Sequence, residues 1–438
     1  MNNRIGVVIP SWHYWANPFK LQPLWELYYA TVLKDALPDY SVEIIDMRQI
    51  SRDMPFDQAV ATMPEKDFYI FWIMKSGDAN EVEAIAESLK RNYKNCKTIV
   101  GGTHVDMCLS RCLEFFDFAV TGPGETALVE AVTDKTKYLS SVHVKGNYAI
   151  DRFDTSPFPD RRLLPISSIV NNELFKEYGD IPGTSIYMSR GCIYSCAFCI
   201  YNVPNELQVR SPEMLRSEIK YLKEEFGVRG INLRDEVAIH PNPKISEQCL
   251  TILKESEIVW RGQTTTLAKR KQLEMAKESG CVELSVGVET VDENVMLIIN
   301  KKWQKEDGIK RFFSDAKELG IRVKVCLILG LPGEPPDIVE KTIKFLETID
   351  PDYASVSGFD PVPGSPIARD PEKYGIEWID EDLSKHAHLL FRFADEEEVG
   401  LPFKYAANGP WGKTFNREEI SANIKTVQHW LKERGKVY

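Results

Sequence analysis

The stretch Ser189-Arg-Gly-Cys-Ile-Tyr-Ser-Cys-Ala-Phe-Cys-Ile200 decides how the rest of the chain is read. It carries three thiols, Cys192, Cys196 and Cys199, in a C-x3-C-x2-C arrangement. Thiolates this close on one short loop bind a soft metal or wrap an iron–sulfur core. A four-iron cluster closed by protein takes four cysteines, so three leave one iron open to a substrate or cofactor. No fourth cysteine lies nearby; the next downstream is Cys249. The competing reading is a structural zinc loop, which closes its tetrahedron with a fourth Cys or His in paired spacings. The nearest downstream histidine, His240, is remote and has no pair partner. The pattern therefore favours a cluster.

Upstream, residues 1–135 alternate short apolar runs with helical patterns. Ile5–Pro10, Val42–Asp46, Phe68–Met74, Thr98–Gly101 and Phe118–Thr121 read as strands, with helix-like stretches such as Leu24–Leu37 and Asn80–Tyr93 between them. Near-continuous apolar strands separated by helices predict a parallel sheet covered on both faces. Five of them predict an α/β, flavodoxin- or Rossmann-like doubly wound sheet, whose ligands bind beyond the strands' carboxyl ends. Those ends hold Trp12 and His13, Asp46, Met74-Lys-Ser-Gly77, Gly101-Gly102-Thr-His104 and Gly122-Pro-Gly124-Glu125. Glycines there allow a backbone to approach a flat ligand, or serve as plain turn residues. A lone histidine is more often a hydrogen-bonded structural residue than a ligand.

Residues 136–183 are turn- and proline-rich, as in Phe153-Asp-Thr-Ser-Pro-Phe-Pro-Asp160, which predicts a linker. Residues 184–365 contain six more strand–helix units, with strands at Ser185–Met188, Gly230–Leu233, Val259–Gln263, Leu284–Val288, Val323–Leu329 and Tyr353–Ser357. Six parallel units predict an open, partial (β/α)6 barrel with its chemistry at the strand carboxyl ends. Residues 366–438 predict a mostly helical segment, with helices over Glu381–Glu397 and Arg417–Arg434. Between them, the aromatic Leu401–Gly412 loop either lines the barrel mouth or packs.

The cysteine spacing, Phe198 before the last cysteine and Arg190-Gly191 before the first resemble the radical S-adenosylmethionine (SAM) superfamily. The resemblance implies a 4Fe-4S cluster on Cys192, Cys196 and Cys199 whose open iron chelates SAM, and reductive cleavage of SAM to a 5′-deoxyadenosyl radical. The strand ends that the family needs occur in order: Asp235-Glu236, Gln263, Ser285-x-Gly-x-Glu289, Lys301-Lys302, Leu329-Gly-Leu-Pro-Gly-Glu334 and Asp360-Pro-Val-Pro-Gly-Ser-Pro366. By resemblance, a carboxylate at 235–236 receives the SAM ammonium group and Glu289 a ribose hydroxyl. Lys301 approaches the SAM carboxylate, and the loop at Leu329 approaches adenine. Singly, each has a dull explanation such as a helix cap or a turn. The first 135 residues resemble the cobalamin-binding domain of one branch of the superfamily, through Gly-Gly-x-His104 and Gly122-x-Gly-Glu-Thr-x-Leu128. The Asp-x-His-x-x-Gly loop that supplies an axial histidine in other cobalamin proteins is missing; the chain reads Asp46-Met-Arg-Gln-Ile-Ser51 there.

Composition narrows the setting. The chain has 438 residues, 43% of them hydrophobic, enough for two or three domains. A net charge of −11 argues against a broad nucleic-acid footprint, which needs clustered Lys and Arg. The N-terminus runs straight into a strand without a signal-peptide pattern, and no apolar run is long enough to span a bilayer. The six scattered remaining cysteines are unlike a secreted disulfide framework, which predicts a reducing, cytoplasmic setting. The resemblance implies a cobalamin-dependent methyltransferase acting on a small molecule or peptide, reduced by a flavodoxin- or ferredoxin-type donor. The alternatives are a radical rearrangement, cyclisation or oxidation without methyl transfer, or a metal-binding scaffold without turnover.

Overall fold

The computed structural model describes residues 3–12, 18–20, 22–52, 54–134, 141–201, 206–386 and 400–437. The chain forms two compact units, Met1–Glu173 with Gln208–Gly227, and Leu174–Leu207 with Val228–Tyr438.

The first unit is built on strands β1 (Arg4–Ile9), β2 (Ser41–Asp46), β3 (Phe68–Trp72), β4 (Lys97–Gly101), β5 (Phe118–Thr121) and β6 (Val142–Lys145), in the order 2-1-3-4-5-6. All neighbours run parallel. The central strands are apolar throughout because helices cover both faces, and helix Ala79–Asn92 buries Val82, Ile85, Ala86 and Leu89 on one stripe. The doubly wound sheet is as expected, with one strand more. β6 escaped notice because it is an edge strand: only Val144 is buried, and His143 and Lys145 are exposed. It falls in the stretch read as a linker, which groups with the first unit as far as Glu173.

Helix Pro212–Phe226 also groups with this unit, although it lies between two barrel strands in sequence. Ser211 caps it by accepting from the Met214 N–H, and Gly227 ends it in the left-handed region at φ 65. Its Glu218 is buried against Arg161 at 3.1 Å and Arg210 at 3.7 Å.

The second unit is a six-stranded parallel sheet: β7 (Gly183–Ile186), β8 (Gly230–Leu233), β9 (Val259–Thr264), β10 (Cys281–Glu289), β11 (Arg322–Leu329) and β12 (Tyr353–Gly358). Each strand pairs with its neighbour in chain order, and β7 and β12 are the edges, giving the partial barrel. One row of side chains is polar. Arg261 Nε donates to Asn232 Oδ1 at 3.1 Å and its guanidinium lies 3.9 Å from Glu283. Gln263 pairs in register with Ser285, and Ser285 with Lys324. Phe175 fits against the start of two strands: a Cβ on Gly183 or Gly230 would lie 2.9 or 2.5 Å from its ring. Tyr178 donates to Glu283 at 3.0 Å from the same segment.

Helix Arg417–Glu433 forms as expected, with a capping box between Asn416 and Glu419. Of the other expected helix, 381–386 holds a short turn at Leu383–Lys385 and the remainder lies outside the described residues. A small antiparallel pair, Ile376–Ile379 with Phe403–Tyr405, was not anticipated.

Candidate active site

The thiols follow β7, where strand carboxyl ends open into loops. Cys196 is buried; Cys192 and Cys199 are partly exposed. Burial pushes Cys192 up to about 11, with Glu236 and Cys196 adding to the rise and Lys301 opposing it. Burial raises Cys196 too, against the pull of Lys301. Cys199 is raised well above its usual range by burial and then by Glu236, Cys196 and Cys192. The thiols therefore lie close enough to affect one another, and Glu236 and Lys301 share their surroundings. A bound metal reverses this logic, because its charge deprotonates a coordinating thiol. Among the described residues, no three His, Cys, Asp or Glu side chains are arranged to hold a single metal ion. A cubane makes another demand, one thiolate for each of several irons. The Tyr201 N–H donates to Cys199 Sγ at 3.3 Å, the kind of contact that tunes an iron–sulfur centre. The donor set fits a cluster.

The two carboxylates after β8 have different duties. Asp235 is buried and accepts from the backbone N–H of Met188 at 3.1 Å, from that of Ser189, and from Ser189 Oγ at 2.5 Å. It ties down the chain entering the cysteine loop, which leaves it ill placed to receive a ligand. Glu236 has no such partner among the described residues; it is half-buried, and burial pushes it up to about 7, with Asp235 adding to the rise. Its charge acts on the Cys192 and Cys199 thiols.

At the end of β10, Glu289 adopts φ 68, rare for a non-glycine residue, where the register with β11 slips between Gly287 and Glu289. Strain of this kind persists where the surroundings enforce it. Lys301 Nζ enforces it here, donating to the Gly287 carbonyl at 2.5 Å and to Glu289 Oε1 at 3.0 Å. A Cβ on Gly287 would lie 2.2 Å from Glu289 Oε1, so a larger residue there would push the carboxylate aside. Gln263 is exposed, Ser285 half-buried, and Leu329 and Phe198 buried. Past Leu329, Glu334 Oε2 accepts from the Gly330 N–H at 2.9 Å, while its buried Oε1 has no hydrogen-bond partner.

Sequence reasoning singled out Lys301 and Lys302 but missed their neighbours Ile299, Asn300 and Trp303, which contact the cysteine loop. Asn300 at φ 56, just past helix Glu293–Ile298, was the available signal, since Asn commonly ends helices in the left-handed region.

In the first unit, Trp12 is buried at φ 48 with the Arg48 guanidinium 5.3 Å from its ring, and His13 lies outside the described residues. Gly101 ends β4, and the φ of +113 at Gly102 lets the chain pass Ile73, whose carbonyl oxygen would be 2.3 Å from a Cβ. His104 is fully buried, its Nδ1 3.0 Å from Ser76 Oγ, and burial pulls it down to about 4. It is a neutral core histidine, not one presented at a surface. A Cβ on Gly124 or Gly122 would lie 3.3 or 3.5 Å from the chain's own Tyr29 or Tyr148 ring, so those rings occupy the glycines' open faces. Glu125 is buried and accepts from Tyr28 at 2.5 Å. Beside them Trp25 stacks on Trp72 at 5.2 Å, with Tyr29 5.2 Å from Trp72. This partly exposed aromatic wall is a flat apolar surface compatible with a planar macrocycle.

Residues 186–346 match the family model described as Radical SAM superfamily. An uncharacterized methyltransferase of Pyrococcus horikoshii is 26% identical over 369 residues, covering 78% of this chain and 77% of that protein. The radical S-adenosylmethionine methyltransferase TsrM from Kitasatospora setae, solved with cobalamin and an iron–sulfur cluster bound, aligns with a TM-score of 0.70 at 16% identity, over 86% of this chain and 79% of its own. OxsB, a cobalamin-dependent S-adenosylmethionine radical enzyme solved with aqua-cobalamin and S-adenosylmethionine, aligns with a TM-score of 0.70 at 14% identity, over 98% of this chain and 66% of its own. At these identities the two solved structures establish a shared fold.

Proposed function

We propose that the chain is a radical SAM enzyme, a cobalamin-dependent methyltransferase acting on an unactivated centre of a small molecule or peptide. The observation that carries the radical half is the grouping of Cys192, Cys196 and Cys199 with Glu236 and the Lys301–Glu289 pair at one end of a six-stranded parallel barrel. The methyl-transfer half is supported by the methyltransferase relative and by the fold shared with two cobalamin-bound structures.

The three cysteines would hold a 4Fe-4S cluster, one thiolate short of the four that close it. Glu236 receives the ammonium group of SAM, Lys301 meets its carboxylate, and Glu289 a ribose hydroxyl. The loop from Leu329 borders the adenine, Phe198 backs the cysteine loop, and Gln263 and Ser285 line the chamber. Asp235 acts indirectly, by fixing the entry to the cysteine loop. When bound, the cluster supplies the electron that cleaves SAM, and cobalamin supplies the methyl group. We assign cobalamin to the carboxyl edge of the first sheet, bordered by Trp12, Gly101, Gly102, Gly122, Gly124 and Glu125; His104, being buried, supports that edge from within. The reductant is a flavodoxin- or ferredoxin-type protein. Among the described residues no helix is long and apolar enough to cross a membrane.

The test is anaerobic reconstitution with cobalamin, followed by mass spectrometry of the products formed from SAM. S-Adenosylhomocysteine together with 5′-deoxyadenosine is the expected outcome. Deoxyadenosine alone favours a second reading, radical chemistry without methyl transfer. The rings of Tyr29 and Tyr148 over the edge glycines are the observation on its side.

A further inference from the structure

The cysteine loop is held from its flank by residues 299–304. The Ala197 N–H donates to the Ile299 carbonyl at 2.9 Å. Asn300 Nδ2 donates to the Ser195 carbonyl at 2.8 Å and lies 3.0 Å from Ser195 Oγ. The Trp303 indole stacks on Tyr194, with ring centroids 4.4 Å apart and planes at 28°. Gln304 roots the segment in the barrel: its Nε2 donates to the Val288 carbonyl at 2.8 Å, and its Oε1 accepts from Thr266 at 3.2 Å. Tyr194, Ser195 and Ala197 all lie between cysteines. The segment therefore grips the backbone that spaces the thiols and leaves the thiols free.

Asn300 makes its contacts from φ 56, a conformation that Asn tolerates better than most residues. One residue type thus meets two demands, a left-handed backbone and an amide donor. The potential of an iron–sulfur centre depends on hydrogen bonding, local charge and solvent exposure, and groups that orient ligands tune the metal they hold. Fixing the peptides between cysteines orients the Tyr194 N–H, which bonds Cys192, and the Trp303 indole covers the Tyr194 ring.

We propose that Asn300 and Trp303 are positioning residues that set the geometry and reduction potential of the cluster on Cys192, Cys196 and Cys199. The inference rests on reading those thiols as a cluster site. It is tested on the full chain, reconstituted anaerobically with iron and sulfide, using Asn300→Gly and Trp303→Leu. Glycine keeps the left-handed backbone and removes the amide; Asn300→Asp, which keeps the shape but not the donor, serves if glycine impairs folding. Iron release to a chelator, the midpoint potential, the electron paramagnetic resonance (EPR) spectrum of the reduced protein and the Tm are measured.

Asn300→Gly is expected to take up the cluster, hold its Tm, and release iron roughly tenfold faster, the scale of about one lost net hydrogen bond. Its EPR spectrum is expected to change, and Trp303→Leu to shift the midpoint potential. Wild-type release rate, potential and spectrum in both variants, or a change confined to Tm, would overturn the inference. A wild-type chain that takes up no cluster would overturn the function reading and this inference with it.

Discussion

Asp235 and Glu236 are adjacent carboxylates, yet one anchors a loop and the other is presented to it. Asp235→Asn exchanges an acceptor of several hydrogen bonds for an amide that must turn a donor toward an N–H. Hydrogen bonds to charged groups are worth about 1.5–3 kcal/mol each, so a stability loss of about 2–4 kcal/mol is expected in chemical denaturation. Glu236→Gln is expected to leave stability nearly unchanged and to raise the KM for SAM by at least about tenfold, the size of one charge-assisted contact. Equal effects of the two changes on KM would contradict this division. The three cysteines were legible because their ligand spacing is local. Asn300 was not, because its partner Ser195 is 105 residues away, and an Asn at a helix end marks a cap without naming its partner. Asp235 and Glu236 read alike in the sequence, since sequence alone cannot distinguish a carboxylate that accepts from backbone from one without such bonds.

Two elements of the barrel unit lend themselves to direct test. Phe175 occupies the space above Gly183 and Gly230. Gly230→Ala forces a methyl group into its ring, and overpacking of this kind costs about 1–3 kcal/mol; Phe175→Leu is expected to recover part of the loss in a double variant. Additive losses would mean that the ring does not set the glycine. On the loop after β11, burial pushes Glu334 up to about 8, although the N–H groups of Gly330 and Leu331 pull the other way. The unfolded chain gives up this proton near pH 4.3, whereas the folded chain keeps it to about pH 8. The group's contribution to stability is therefore full below the ordinary carboxylate range and is lost as pH rises through about 8. Thermal unfolding between about pH 5 and 9 should show Glu334→Gln gaining on the wild type as pH rises; parallel curves would contradict it. The barrel strands were legible in sequence because short β-rich runs alternate with marked amphipathic helices, although one row of the strands' side chains is polar. β6 was not, because an exposed edge strand carries polar residues. Nor was the grouping of helix Pro212–Phe226 with the first unit: its amphipathic stripe says that it packs, and the buried Arg161–Glu218 pair says where.

For the whole molecule, the thiols fall in one unit and the edge assigned to cobalamin in the other. Replacing Cys192, Cys196 and Cys199 together by Ala is expected to abolish the cluster's absorption and SAM cleavage while corrin bands persist after anaerobic purification with cobalamin. Loss of both would show that the two cofactors bind interdependently. The order of the two units was legible from the period of the strand–helix alternation, but substrate choice was not, because it depends on side chains that converge only in the fold. The most direct test of the central claim is the EPR spectrum of the reduced, reconstituted chain with and without SAM. A 4Fe-4S signal that changes when SAM is added is expected, since one iron has no protein ligand. A signal indifferent to SAM, or a chain that holds zinc in place of the cluster, would contradict it.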